Sequence, residues 1–70
     1  MTDQELLGAN VRRLRKRAGM SQESLGDVSG LHPTEVSRLE RGVREPRLGT
    51  IITLARALDV RPAELLEGIV

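Results

Sequence analysis

Glycine and proline cut this chain into short stretches, at Gly19, Gly30, Pro33, Gly42, Pro46, Pro62 and Gly68, and between most of these cuts apolar residues recur three or four apart. That spacing lines one face of a helix, and the cuts hold each helix to a few turns. Helices so short are marginal alone in water, so the chain must fold by packing them together. Leu7, Val11, Leu14 and Ala18 mark the first helix. Asp3 is its expected N-cap, acids open it and bases end it as the helix dipole favours, and Gly19 with Met20 beyond it forms the stop. Ser21 caps a second helix, in which Leu25 and Val28 are expected to face inward, and Gly30 ends it. His32-Pro33 opens a third, since proline suits the first helical position, with Val36 and Leu39 as its buried edge and Gly42 as its end. A polar loop from Gly42 to Arg47, broken by Pro46, precedes a fourth helix with Leu48, Ile51, Leu54, Ala55 and Leu58 on one side. After the link Asp59-Val60-Arg61, Pro62 begins a fifth helix through Leu65 and Leu66 to Gly68. No period-two pattern, repeat or low-complexity segment competes. The expected fold is all-α, five short helices in one domain over residues 1–70.

The residue types exclude whole classes of function. The chain has no Phe, Tyr, Trp or Cys, which rules out disulfides, cysteine-bound metal and base recognition by aromatic stacking. His32, the single histidine, cannot build a multi-histidine metal centre, so neither metal nor cofactor is expected. The apolar runs are too short to span a membrane, and the start, Met1 to Glu5, is polar and acidic rather than a signal peptide. A cytoplasmic protein is expected. No Ser/His/Asp set, paired-carboxylate cleft or phosphate-binding glycine loop is present, and a small helical domain offers little cavity, so neither an enzyme nor a small-molecule ligand is expected.

Net charge is only +1, yet it is unevenly spread. Residues 12–22 hold Arg12, Arg13, Arg15, Lys16 and Arg17 with no acid, and residues 38–56 hold Arg38, Arg41, Arg44, Arg47 and Arg56 against Glu40 and Glu45. Two basic blocks inside a neutral total suit an anion-binding face; the other reading is a set of solvated helix faces.

The stretch from Gln22 to Arg41 has the offsets of two helices joined by a tight turn. A steep helix crossing needs a small residue at the contact, which Gly26 supplies, and the turn needs a residue tolerant of positive φ, which Gly30 supplies. Leu25, Leu31, Val36 and Leu39 fall where the pair must bury apolar surface. This spacing resembles the helix-turn-helix of the phage repressor and Cro-type (XRE-type) DNA-binding family, and the likeness runs along nearly the whole chain. It includes the arginine-rich first helix leading through Gly19 to Ser21-Gln22, the Leu39-Glu40-Arg41-Gly42 ending of the third helix, the basic loop with Pro46, and the Leu54-Ala55-Arg56-Ala57-Leu58 and Glu64-Leu65-Leu66 runs. Gly26 stands where the family usually has alanine, at a cost of roughly 1 kcal/mol in helix propensity. His32 replaces a customary Ser or Thr cap, and Arg47 and Gly49 replace residues that help start the fourth helix.

The resemblance implies a DNA-binding transcription regulator with its second helix at about 21–29 and its recognition helix at about 32–41, the latter lying in the major groove of duplex DNA. Its outward positions, Pro33, Thr34, Ser37 and Arg38, become the base-contacting candidates, with Arg38 suited to guanine O6 and N7. Glu35 beside them would accept from cytosine or repel phosphate. Ser21 and Gln22, at a helix start that favours anions, and Arg41, Arg44 and Arg47 become phosphate candidates. Arg15 and Glu40 are expected to pair and tie the recognition helix to the scaffold. One domain this small makes few base contacts, so a homodimer on a roughly palindromic operator is expected, with Leu66, Ile69 and Val70 as the seam. A controller of restriction–modification genes fits by analogy. The alternative is an antitoxin-type or adaptor module that uses the same fold to bind protein.

Overall fold

The computed structural model describes residues 1–70 as five α-helices and no strand: α1 (Asp3–Arg17), α2 (Gln22–Ser29), α3 (Pro33–Glu40), α4 (Leu48–Leu58) and α5 (Pro62–Leu65). Ten aliphatic residues form the core, among them Val11 and Leu14 of α1, Leu25 of α2, Val36 and Leu39 of α3, Leu54 and Leu58 of α4 and Leu65 of α5. Every helix contributes, as helices this short require.

The helix ends follow local chemistry. At the start of α1 the cap is Thr2, not Asp3: its hydroxyl accepts from the Glu5 N–H at 3.1 Å while the Glu5 carboxylate accepts from the Thr2 N–H at 2.9 Å. A capping box satisfies two orphan donors at once, which Asp3 one position later does not. The C-terminus of α1 closes as the sequence suggests, Gly19 taking φ 73° while the Met20 N–H bonds the Arg15 carbonyl at 3.1 Å. Ser21 caps α2 through the Ser24 N–H, and Gly30 ends it at φ 75°. His32 caps α3, Pro33 stands at its first turn, and Gly42 follows its end at φ 72°.

Four expectations about faces and lengths are corrected. Val28 is exposed; the buried side of α2 is Leu25, Gly26 and Ser29, whose hydroxyl bonds back to the Leu25 carbonyl at 2.6 Å. The inward stripe therefore turns towards the i+4 position rather than i+3. Ala18 is exposed as the C-cap of α1, and Leu48 is exposed at the first turn of α4, before that helix reaches the core. The fifth helix is shorter than expected: α5 stops at Leu65, and residues 66–68 continue as a turn to Gly68 at φ 85°.

Two glycines set how closely the helices cross. A Cβ on Gly26 would lie 2.6 Å from the Leu31 carbonyl oxygen, so glycine here permits a backbone approach that offsets its poor helix propensity. Gly8 of α1, which carries no signal in the sequence, lies against the end of α3, where a Cβ would meet the Leu39 carbonyl oxygen and come within 2.7 Å of that of Glu40. The α1–α3 crossing rests on that approach, and it fixes where α3 sits.

Candidate nucleic-acid interface

The outer side of α3 carries the residues expected there. Val36 and Leu39 are buried, Thr34, Arg38 and the C-cap Arg41 are exposed, and Pro33 and Ser37 are half-buried. These positions fall on the solvent side by helical periodicity once Val36 and Leu39 face the core. Glu35 is turned to a local task, its carboxylate accepting from the His32 N–H at 3.4 Å.

Arg15 and Glu40 lock α3 to α1. Arg15 Nε donates to Glu40 Oε2 at 2.6 Å and Nη2 to Oε1 at 2.9 Å, while Nη1 reaches the Met20 carbonyl at 2.9 Å. The two side chains are only 10% and 3% exposed, so this is a fork–fork pair sheltered from water. Its bonds to Glu40 raise the pKa of the Arg15 guanidinium above its ordinary value against the opposing effect of burial. Gln22 joins the same cluster, its side-chain Nε2 donating to Glu40 Oε1 at 3.1 Å. The phosphate candidate at the head of α2 is thus wired to the last residue of α3. Ser21 commits its hydroxyl to the α2 cap.

The two basic blocks differ in pairing, although Arg12 and Lys16 of the first are in no ion pair either. In α1, Arg13 meets Glu67 at 3.6 Å, Arg15 meets Glu40, and Arg17 meets Glu64 at 3.9 Å. No ion pair engages Arg38, Arg41, Arg44 or Arg47, all exposed. Arg44 and Arg47 border a polar cleft of about 300 Å³ between α3 and the loop, together with Glu35 and Thr50. Thr50 is not singled out by the sequence pattern; the available signal was its place in the first turn of α4, whose cap Arg47 makes no side-chain bond. At the other end of the chain Leu66 and Val70 are exposed, whereas Ile69 packs partly against the core.

Residues 11–65 match the helix-turn-helix family. The chain belongs to that family. It is a DNA-binding helix-turn-helix protein of the transcription-regulator class. Among its relatives, control protein C.SmaI of Serratia marcescens is 42% identical over 66 residues, spanning 94% of this chain and 79% of the relative. The restriction-modification controller protein C.AhdI of Aeromonas hydrophila superposes with a TM-score of 0.88 at 44% identity, over 90% of this chain and 96% of that one. The c2 repressor of Salmonella phage P22, solved in complex with a synthetic operator, superposes with a TM-score of 0.81 at 32% identity, over 89% and 94% of the two chains.

Proposed function

We propose that the protein is a cytoplasmic, sequence-specific regulator of transcription that binds a roughly palindromic operator as a homodimer. The observation that carries this reading is the outer side of α3, where Thr34, Ser37 and Arg38 are flanked by Arg41, Arg44 and Arg47 with no acid paired to them. Unpaired guanidinium groups keep the full attraction for phosphate that an internal ion pair would cancel. Pro33, Thr34, Ser37 and Arg38 then face base edges, and Ser21, Gln22, Arg41, Arg44 and Arg47 hold the two backbones. Arg15 and Glu40 orient α3 without touching DNA. The reading assigns no catalytic activity, metal or cofactor.

The size of the molecule supports dimerisation. The molecule measures 30 × 22 × 21 Å, enough to cover one half-site, and a second copy one helical turn (~34 Å) along supplies the other. The seam uses Leu66 and Val70, with Ile69 supporting them from beneath. Likeness to the restriction-modification controller protein C.AhdI supports a controller of restriction–modification genes as the biological role. Selection of bound duplexes from a random library tests the reading directly. A two-fold-symmetric consensus is expected, and a consensus without symmetry, or none, sinks it. Leu66→Asp should leave the fold intact and shift the protein to monomer in sedimentation, while unchanged dimer would move the seam elsewhere.

A further inference from the structure

His32 is the residue at this interface whose chemistry base and phosphate recognition by its neighbours leaves unused. It stands where the family ordinarily caps the recognition helix with a hydroxyl, and it performs that task by a different atom: the Thr34 N–H donates to His32 Nδ1 at 3.1 Å. An acceptor nitrogen must carry its lone pair, so the neutral ring holds its proton on Nε2. The two nitrogens flank Cε1, so with Nδ1 turned to the helix end, the Nε2–H is directed away from it. The side chain is exposed, and no group of the protein accepts from Nε2. A serine or threonine cap would likewise accept through its oxygen, but the O–H it has left would lie closer to the helix end than the Nε2–H of a histidine ring does.

From this geometry we infer that His32 is a direct DNA contact, with the capping bond fixing it as a donor through Nε2. The claim rests on the reading that α3 enters the major groove. It restricts the target to an acceptor: a phosphate oxygen, or the acceptor edge of guanine, adenine N7 or thymine O4. The amino groups of cytosine N4 and adenine N6 are excluded because a ring nitrogen locked in the cap leaves no lone pair to receive them. The same bond holds the ring in place before DNA arrives, so less side-chain freedom is lost on binding.

The chain has one histidine, which makes the test clean. Nitrogen-15 NMR of the imidazole at mildly alkaline pH should show a lone-pair Nδ1 and a protonated Nε2 in the free protein, and a shift at Nε2 when a duplex enriched from the random library is added. A proton on Nδ1 in the free protein, or an unmoved Nε2 on binding, overturns the inference. His32→Ser keeps a good cap, so helicity should be retained while affinity for that duplex falls about 3- to 10-fold. Affinity equal to wild type also overturns it. Loss confined to one base pair of the site identifies a base acceptor, and equal loss across point-substituted duplexes identifies a phosphate oxygen. Failure of the wild-type protein to enrich any duplex removes the groove-binding reading itself, and this inference with it.

Discussion

The two arginine-rich segments look alike in the sequence and differ in the structure by how many of their bases meet an acid. In α1, Arg13, Arg15 and Arg17 each meet a carboxylate, on Glu67, Glu40 and Glu64 respectively. Arg38, Arg41, Arg44 and Arg47 meet none. The first segment fastens α1 to α3 and to the C-terminal turn; the second stays available to an anion outside the molecule. Local charge density therefore does not say which bases the fold pairs: Arg12 and Lys16 of α1 also meet no acid, and the three that do rely on contacts 25 residues apart or more.

The largest effect should come from breaking the sheltered pair. Removing one partner strands a charge that is almost wholly buried, so Arg15→Ala or Glu40→Ala should cost about 3–5 kcal/mol of unfolding free energy. A double-mutant cycle read by urea unfolding checks it. Coupling near zero would show two independent charges and collapse the contrast between the segments. Replacing both residues with apolar side chains of similar volume should restore much of the loss.

The second segment should respond in binding rather than in stability. Arg38→Ala should leave stability within about 0.5 kcal/mol of wild type and weaken operator binding by roughly 1–3 kcal/mol while relaxing one base position. Arg44→Ala and Arg47→Ala should weaken all duplexes alike and lower the salt slope by about 0.9 for each phosphate no longer neutralised. Binding titrations across a salt series separate the two classes. If Arg38→Ala instead behaves like Arg44→Ala, Arg38 belongs to the backbone and base reading falls to Thr34 and Ser37.

Within α1 the pairs are unequal, and the inequality sharpens the comparison further. Arg13 and Glu67 are 49% and 71% exposed, and Arg17 and Glu64 are 62% and 33% exposed, at separations of 3.6 and 3.9 Å. Such pairs in water contribute between nothing and about 1 kcal/mol. Arg13→Ala and Arg17→Ala should therefore each shift unfolding by under about 1 kcal/mol. A destabilisation matching that of Arg15→Ala would make α1 a single cooperative charge lattice rather than one buried lock with two loose ties.

The legible parts of the fold were those fixed by neighbours in sequence. Gly19, Gly30 and Gly42 mark helix ends because backbone conformation there depends only on local sterics, and each has positive φ. The α3 face was legible because Val36 and Leu39 leave one way for an eight-residue helix to sit. The misplaced residues failed for reasons that local pattern cannot carry. Val28 and Ser29 are adjacent, and only the crossing of α2 with its neighbours decides which one turns inward. Gly8 offers no local signal, since its role is to lie under the carbonyls of Leu39 and Glu40. Asn10 was equally silent: its Nδ2 donates to the carbonyls of Leu65 and Glu67, each at 2.9 Å, holding the C-terminal turn to α1. At the site, Thr50 was hidden for the same reason, since it borders the cleft only once the loop carrying Arg44 to Arg47 brings the start of α4 towards Glu35 and Leu39.

The smallest expected effect contrasts the two ends of α1. Glu40 of α3, against the C-terminal end of α1, is held by the Arg15 guanidinium, whereas Glu5, at the N-terminal end, is held by backbone. The Thr2 N–H, aided by the Thr2 hydroxyl and the N-terminal ammonium, lowers the Glu5 carboxyl below its ordinary pKa despite a small opposing desolvation. Folding thus favours the charged form, so this contribution is complete at neutral pH and is lost as pH falls through the lowered value. Glu5→Gln should accordingly reduce stability slightly at neutral pH, and the difference from wild type should shrink as the solution is acidified. Urea midpoints measured from neutral to strongly acidic pH provide the check. A gap that stays constant across that range would mean that the Glu5 side chain acts by packing near Gly42, where a Cβ would come within 2.6 Å of Glu5 Cγ, and not by its charge.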